Sequence, residues 1–288
     1  MKRPIIYTLL FLFTAALIVA GCMDFQGNKE VLEPELPIKV EPELTMAEKA
    51  LIEELAAAER ERIYNKTWVE ENVTRDFLLG KVKRKDNPLF VKVAEEHTER
   101  NIYLIPPAYE AFKKMHEAAL ADGVKLIITS GHRTFMEQAC EWELRWNNPR
   151  TDEVFANDTE KARFVLQYRS MPGTSRHHWG TDIDINSFKL SYFETREGKK
   201  VYDWLKTHAA DYGFYQSYSP KDEKRPTGYE EEKWHWSYKP IARLMLSKYL
   251  ELVTIDDIHG FKGDRAAQKL PIISEWVCGI SPEMYETN

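Results

Sequence analysis

Apolar positions recur along this chain at two different periods, and the changes of period mark its elements. After Thr45, residues Leu51, Ile52, Leu55, Ala58 and Ile63 follow at helical spacing to about residue 64. Thr45 with Glu48 has the form of a capping box, in which hydroxyl and carboxylate satisfy the free amides of a helix start. The pattern therefore predicts a helix over 45–64 that packs on the main domain. A second helix is predicted over 107–121, with Pro107 in its first turn, Phe112, Met115 and Ala119 along one face, and Gly123 past its end. The run 124–130 follows at once and reads as a buried strand. Further helices are predicted over about 134–146, 159–169 and 200–212, the last closed by Gly213, and short strands at 181–185 and 234–238. Helices mixed with non-adjacent strands, without a βαβαβ rhythm, predict the α+β class. The sequence carries no internal repeat and no low-complexity tract.

One apolar run stands outside this pattern. Residues 5–20 are apolar, follow Lys2 and Arg3, and end in Val19-Ala20-Gly21-Cys22. Charge, apolar run and small residues in that order read as an export signal over 1–21, and the run is shorter than the roughly twenty residues of a membrane-spanning anchor. The tetrad resembles a bacterial lipobox, which implies that Cys22 is lipidated and tethers an exported protein to the cell envelope. Met23 stands where an aspartate would retain a lipoprotein at the inner membrane, so the expected location is the periplasmic side of the outer membrane in a cell with two membranes. Pro34, Pro37 and Pro42 among acidic residues make 22–44 an extended tether. The remainder divides into a helical extension over 45–84, a main domain over 85–250 and a C-terminal extension over 251–288.

Charge narrows the partners. The chain has 40 basic and 46 acidic residues, and loss of Lys2 and Arg3 leaves 38 against 46, about −8, which disfavours a nucleic-acid partner. Apart from Cys22 only Cys140 and Cys278 remain, either as one bridge, which an exported protein could keep, or as two buried thiols. Two cysteines so far apart do not form a thiolate metal site.

The densest chemistry lies in Ser175-Arg176-His177-His178-Trp179-Gly180-Thr181-Asp182-Ile183-Asp184. Imidazole nitrogen and carboxylate oxygen are zinc donors. On a regular strand Asp182 and Asp184 share one face while Ile183 and Ile185 face the core, so one of the two carboxylates can meet His177. His235, between Trp234 and Trp236, is the candidate for a third ligand, and indole walls would exclude water around it. Three protein ligands with an open fourth position define a catalytic zinc, for which Glu232 would be the general base. Strand alternation puts Glu232 and His235 on opposite faces, so the glutamate is expected on the loop entering the strand or at a bulge.

The pattern Ser175-x-His177-x-x-Gly180-x-x-x-Asp184, followed by Glu232-x-Trp234-His235, resembles the VanY-type D-alanyl-D-alanine carboxypeptidases. Ser130-Gly131-His132-Arg133-Thr134 with Gln138, and Asp211-Tyr212-Gly213-Phe214, extend the resemblance over roughly 88–250. The resemblance implies a small α+β fold shared with lysostaphin-like enzymes and the hedgehog domain, an antiparallel sheet flanked by helices. It implies one Zn²⁺ per chain on His177, Asp184 and His235, Glu232 as base, and Arg133, Ser175 and Gln138 as substrate-binding residues, with Arg133 on the substrate's terminal carboxylate. The implied substrate is the peptidoglycan stem peptide and the implied state a monomer. Two other readings stay open: an endopeptidase of the same class that cuts cross-links, and a non-catalytic wall-binding lipoprotein. The chain departs from the family at three places. Asp182 replaces a small residue, either orienting a ligand histidine or competing for the metal; His132 replaces a tyrosine, as a structural imidazole; and the residues near Gln216, Ser217 and Tyr218 lack an arginine. His178 is expected to lie outside the ligand set.

Overall fold

The computed structural model describes residues 44–148 and 154–285. Cys22, the signal over 1–21 and all of the tether up to residue 43 lie outside them. The described residues from Ala50 onward belong to one compact unit. Among the described residues no helix is long and apolar enough to cross a membrane.

Helix α1 (Met46–Asn72) starts as the capping box requires, with Thr45 and Glu48 exchanging hydrogen bonds, but runs two turns beyond the predicted end. The expected packing face is corrected: Leu51, Leu55 and Ile63 are exposed, and burial begins only at Asn65 and Val69. Acidic and basic residues on every side leave this helix little amphipathic character to drive burial. A single helical turn at Arg75–Leu78 then leads to Gly80.

Helix α2 (Pro106–Ala121) buries the predicted face of Phe112, Met115 and Ala119. It precedes strand β3 (Ile128–Ser130), which is shorter than predicted; next to it Asn186, at positive φ, accepts from Ile127 N through its side chain and donates its own N–H to the Ile127 carbonyl. Helix α3 (Phe135–Asn147) is opened by a full capping box of Thr134 and Glu137, and Arg84 grips the same glutamate through two hydrogen bonds of 2.5 and 2.6 Å. The turn carrying Arg133 is thereby fixed from both sides. Helix α4 (Asp158–Val165) ends a turn early, and helix α5 (Arg196–His208) tightens into a 3-10 turn at Ala209–Tyr212 that Gly213 closes. Helix α6 (Lys239–Leu252), unread in the sequence, follows the last strand directly with Pro240 in its first turn.

Strands β4 (Asp182–Ile185), β5 (Phe214–Gln216) and β6 (His235–Tyr238) complete an antiparallel sheet in the order β3-β4-β6-β5. A separate pair, β1 (Val91–Lys92) and β2 (Tyr103–Leu104), flanks it in sequence. Helices and a small antiparallel sheet make the domain α+β, as the sequence implied. The expectation of a bridge or of two buried thiols is corrected: among the described residues Cys140 is free and exposed, and Cys278 is free and half-buried.

Gly80 shows how the helical extension reaches the centre of the fold. It sits at φ 72°, its carbonyl accepts from Phe135 N at 2.7 Å, and a methyl group there would overlap the His178 imidazole. That ring cannot yield, since it bonds the Arg133 carbonyl at 2.7 Å and Gly173 N at 3.0 Å. Gly80→Ala is therefore expected to destabilise the protein by about 2–4 kcal/mol in denaturant unfolding, where a typical exposed-loop substitution costs under about 0.5.

Candidate metal centre and cleft

Register decides which side chains meet. Asp184 in β4 stands opposite His235 in β6, and Asp182 opposite Ser237, so alternation sends all four to one face and Ile183 and Trp236 to the other. His177 arrives from the 3-10 turn Arg176–Trp179, which Gly180 ends in a left-handed conformation at φ 69°. Ligand atoms of His177, Asp184 and His235 lie within 4.8 Å of one another, and all three residues are buried. His177 Nε2 is 3.2 Å from Asp184 Oδ2, and His235 Nδ1 is 3.2 Å from Asp184 Oδ1.

Outer partners set which ring nitrogen faces inward. His177 Nδ1 meets the Gly131 carbonyl at 2.8 Å; a carbonyl only accepts, so Nδ1 carries the proton and Nε2 is left bare toward the centre. His235 Nε2 meets Asp182 Oδ2 at 2.8 Å, which leaves Nδ1 facing Asp184. Asp182 also accepts from Arg176 Nε (3.0 Å), Ser237 Oγ (2.7 Å) and Thr181 Oγ1 (2.7 Å). Of the two roles open to Asp182, this geometry gives it the orienting one, on the far edge of the His235 ring. Burial works against its charge, yet Arg176 and His235 hold its carboxyl well below the usual carboxylate range. Asp184 is likewise buried and likewise held down, by His177 and His235. Burial disfavours the charged form of His235, but the hydrogen bond to Asp182 and the negative charges of Asp182 and Asp184 beside the ring outweigh this and lift it to about 9. His178 stands apart, as expected: its hydrogen bonds go to Arg133 and Gly173, and burial pushes its pKa down to about 3.

The three candidate ligands fit a zinc ion. Among the described residues His177 Nε2 and Asp184 Oδ1 are buried without a hydrogen-bond partner, and orphaned acceptors that face one another are unfavourable unless a cation lies between them. Two imidazoles and one carboxylate are a common donor set of catalytic zinc. Asp182→Ala frees the His235 ring and is expected to weaken zinc binding about 10- to 100-fold in competition with a chromophoric chelator.

Glu232 lies on the turn entering β6, where His235 N donates to its carbonyl at 3.2 Å. The face conflict is thus resolved by the loop and needs no bulge. Its Oε2 is 3.5 Å from His235 Nδ1, and burial pushes its carboxyl up to about 7 although His235 pulls the other way. Centre and glutamate open into a cleft of about 440 Å³ that Arg133, Gln138 and Ser175 also line. Arg133 Nε, Ser175 Oγ and Gln138 Oε1 are buried there without partners among the described residues, while Gln138 Nε2 is held by the Ser170 carbonyl at 2.9 Å. His132 packs against Phe90, ring centroids 4.2 Å apart, in keeping with a structural role, and also borders the cleft. The expected pair of indole walls is corrected to one: Trp234 lines the cleft, while Trp236 lies on the opposite sheet face from His235. Sequence reasoning missed Tyr218 and Tyr229, which line the cleft from the loop between β5 and β6, where no periodicity marks them. It also missed Ser237, whose role follows only from strand register.

A family model described as VanY, D-alanyl-D-alanine carboxypeptidase, matches residues 101–241. YodJ of Bacillus subtilis (strain 168), a protein named as a carboxypeptidase, is 31% identical over 177 residues, 57% of this chain and 59% of its own length. The D-alanyl-D-alanine carboxypeptidase of Enterococcus faecalis (strain ATCC 700802 / V583) is 32% identical over 134 residues, 44% of this chain and 45% of its own. The chain thus spans about half the length of these curated relatives. Among solved structures, a variant of the vancomycin resistance D,D-pentapeptidase VanY in complex with Zn(II) is 24% identical, covers 62% of this chain and 88% of its own, and has a TM-score of 0.43. VanYB in complex with D-alanine-D-alanine is 23% identical, covers 60% and 93%, and has a TM-score of 0.44. The region matched by the VanY-type D-alanyl-D-alanine carboxypeptidase family model, about half of the chain, is the one that holds His177, Asp184, Glu232 and His235.

Proposed function

We propose that the protein is a zinc-dependent D,D-carboxypeptidase that removes the terminal D-alanine of peptidoglycan stem peptides, with one zinc ion per chain. The observation that carries this reading is the convergence of His177, Asp184 and His235 beside Glu232 at the base of a cleft with unpartnered polar walls. Zinc, when bound, polarises the scissile carbonyl and acidifies the attacking water. Glu232 takes the proton of that water and returns it to the leaving amine, a role that suits a buried carboxyl raised to about 7. Arg133 grips the terminal carboxylate of the peptide through its guanidinium, and Ser175 and Gln138 bond the adjacent polar groups. The reading includes export, lipid anchorage through Cys22 at the cell envelope, and action as a monomer.

The test is incubation of the protein, starting after Cys22, with defined pentapeptides and cross-linked dimers, with and without a chelator, and mass analysis of the products. Release of one D-alanine from the pentapeptide, abolished by the chelator, is expected. Cleavage of dimers alone would make the enzyme an endopeptidase, and no chelator-sensitive cleavage of either would leave a wall-binding protein.

A further inference from the structure

The residues after Leu252 lie beyond the family-matched region, yet they are built into the wall that carries Glu232. Residues 217–234 join β5 to β6 without helix or strand, and such long irregular connections are uncommon unless something fixes them. The interior of this loop is filled by Arg225, only 2% exposed, which makes no ion pair among the described residues. Its guanidinium donates to the carbonyls of Ser219, Thr227 (3.1 Å), Tyr229 (2.9 Å) and Gly279 (3.4 Å). The fourth acceptor belongs to the C-terminal segment. Beside it, Ser281 N donates to the Ser217 carbonyl at 2.8 Å, and Ser281 Oγ accepts from Ser219 N at 3.1 Å. Gly228 and Gly279 approach so closely that a side chain on either would overlap the other's backbone. Trp276 Nε1 ties the same segment to the Leu166 carbonyl at 3.2 Å. From this staple the loop runs to the site: Glu232 N donates to the Tyr218 carbonyl at 3.0 Å, and the Tyr218 ring lies 4.7 Å from that of His235.

We propose that Arg225 and the C-terminal segment around Gly279 and Ser281 form a strap that holds Glu232 in place against the metal ligands, with Arg225 as a positioning residue. The effect on turnover rests on the peptidase reading above; the effect on the loop does not. The experiment compares zinc-loaded full chain, solubilised in detergent, with Arg225→Met, Arg225→Lys and Ser281→Ala. In Arg225→Met, amide exchange at Ser217, Glu232 and His235 is expected to quicken by about tenfold or more while that of helix α2 is unchanged and zinc content is retained. On a stem pentapeptide, kcat is expected to fall about 10- to 100-fold with KM within about twofold, because the base is displaced and the carboxylate grip is not. Arg225→Lys recovers part of both effects, and Ser281→Ala gives the same pattern at smaller size. Unchanged loop exchange in either folded variant overturns the proposal, as does an equal rise across α2 or a change confined to KM. Should Arg225→Met not fold, Ser281→Ala decides alone. Exchange is read without substrate, so a wild-type chain that cleaves nothing overturns the peptidase reading while the strap stands or falls on exchange.

Discussion

Replacing Glu232 by glutamine is expected to abolish turnover while zinc stays bound. Glutamine keeps the shape of the side chain and its place on the turn before β6, where the main chain, and not the carboxylate, makes the bond to His235 N. What it removes is the ability to accept a proton from water. A positioned acid–base group contributes about 10²- to 10⁴-fold, so hydrolysis should drop by at least that range and KM should change little. Glu232 lies 3.5 Å from His235 Nδ1, close enough to be mistaken for a ligand, so zinc content is the control. A variant that loses both metal and activity would reassign Glu232 to the metal.

Replacing His235 by alanine should have the larger physical effect. The ring connects two buried carboxylates, Asp182 at 2.8 Å and Asp184 at 3.2 Å, so its loss removes a candidate metal donor and a shared partner at once. Asp182 keeps Arg176, Ser237 and Thr181, but Asp184 keeps only His177 of its two imidazoles. Leaving a buried charge short of its partners typically costs about 3–5 kcal/mol. Activity is expected to vanish, zinc content to fall far below that of the wild type, and unfolding to shift to lower denaturant. Retained zinc with retained stability would show that residue 235 is not part of the centre.

Much of this centre was legible in the sequence because its ligands sit in short segments whose local geometry is forced. Alternation alone placed Asp182 and Asp184 on one face and Ile183 on the other, and the β4–β6 register then met that face with His235 and Ser237. Which carboxylate faces the candidate metal site depended on an alignment of two strands some fifty residues apart, which periodicity cannot supply. The same limit hid Arg176 as the partner of Asp182 and Tyr218 as the neighbour of His235. Elsewhere the pattern misled. Leu51 and Leu55 have helical spacing yet remain exposed, because spacing marks a face and does not provide a surface for it. The C-terminal segment folds as short 3-10 and π turns, such as Asp264–Lys269 and Ile272–Val277, which leave no hydrophobic period to read. Helix α6 did carry a readable stripe in Ile241, Ala242, Met245, Leu246 and Tyr249, all buried.

The most direct measurement is anomalous diffraction at the zinc edge from crystals of the zinc-loaded protein. The account expects one strong peak per chain, bonded to His177 Nε2, His235 Nδ1 and Asp184, with Asp182 hydrogen-bonded to the far side of the His235 ring. A map with no peak among these three residues, or with the ion held by Asp182 or His178 instead, would contradict it.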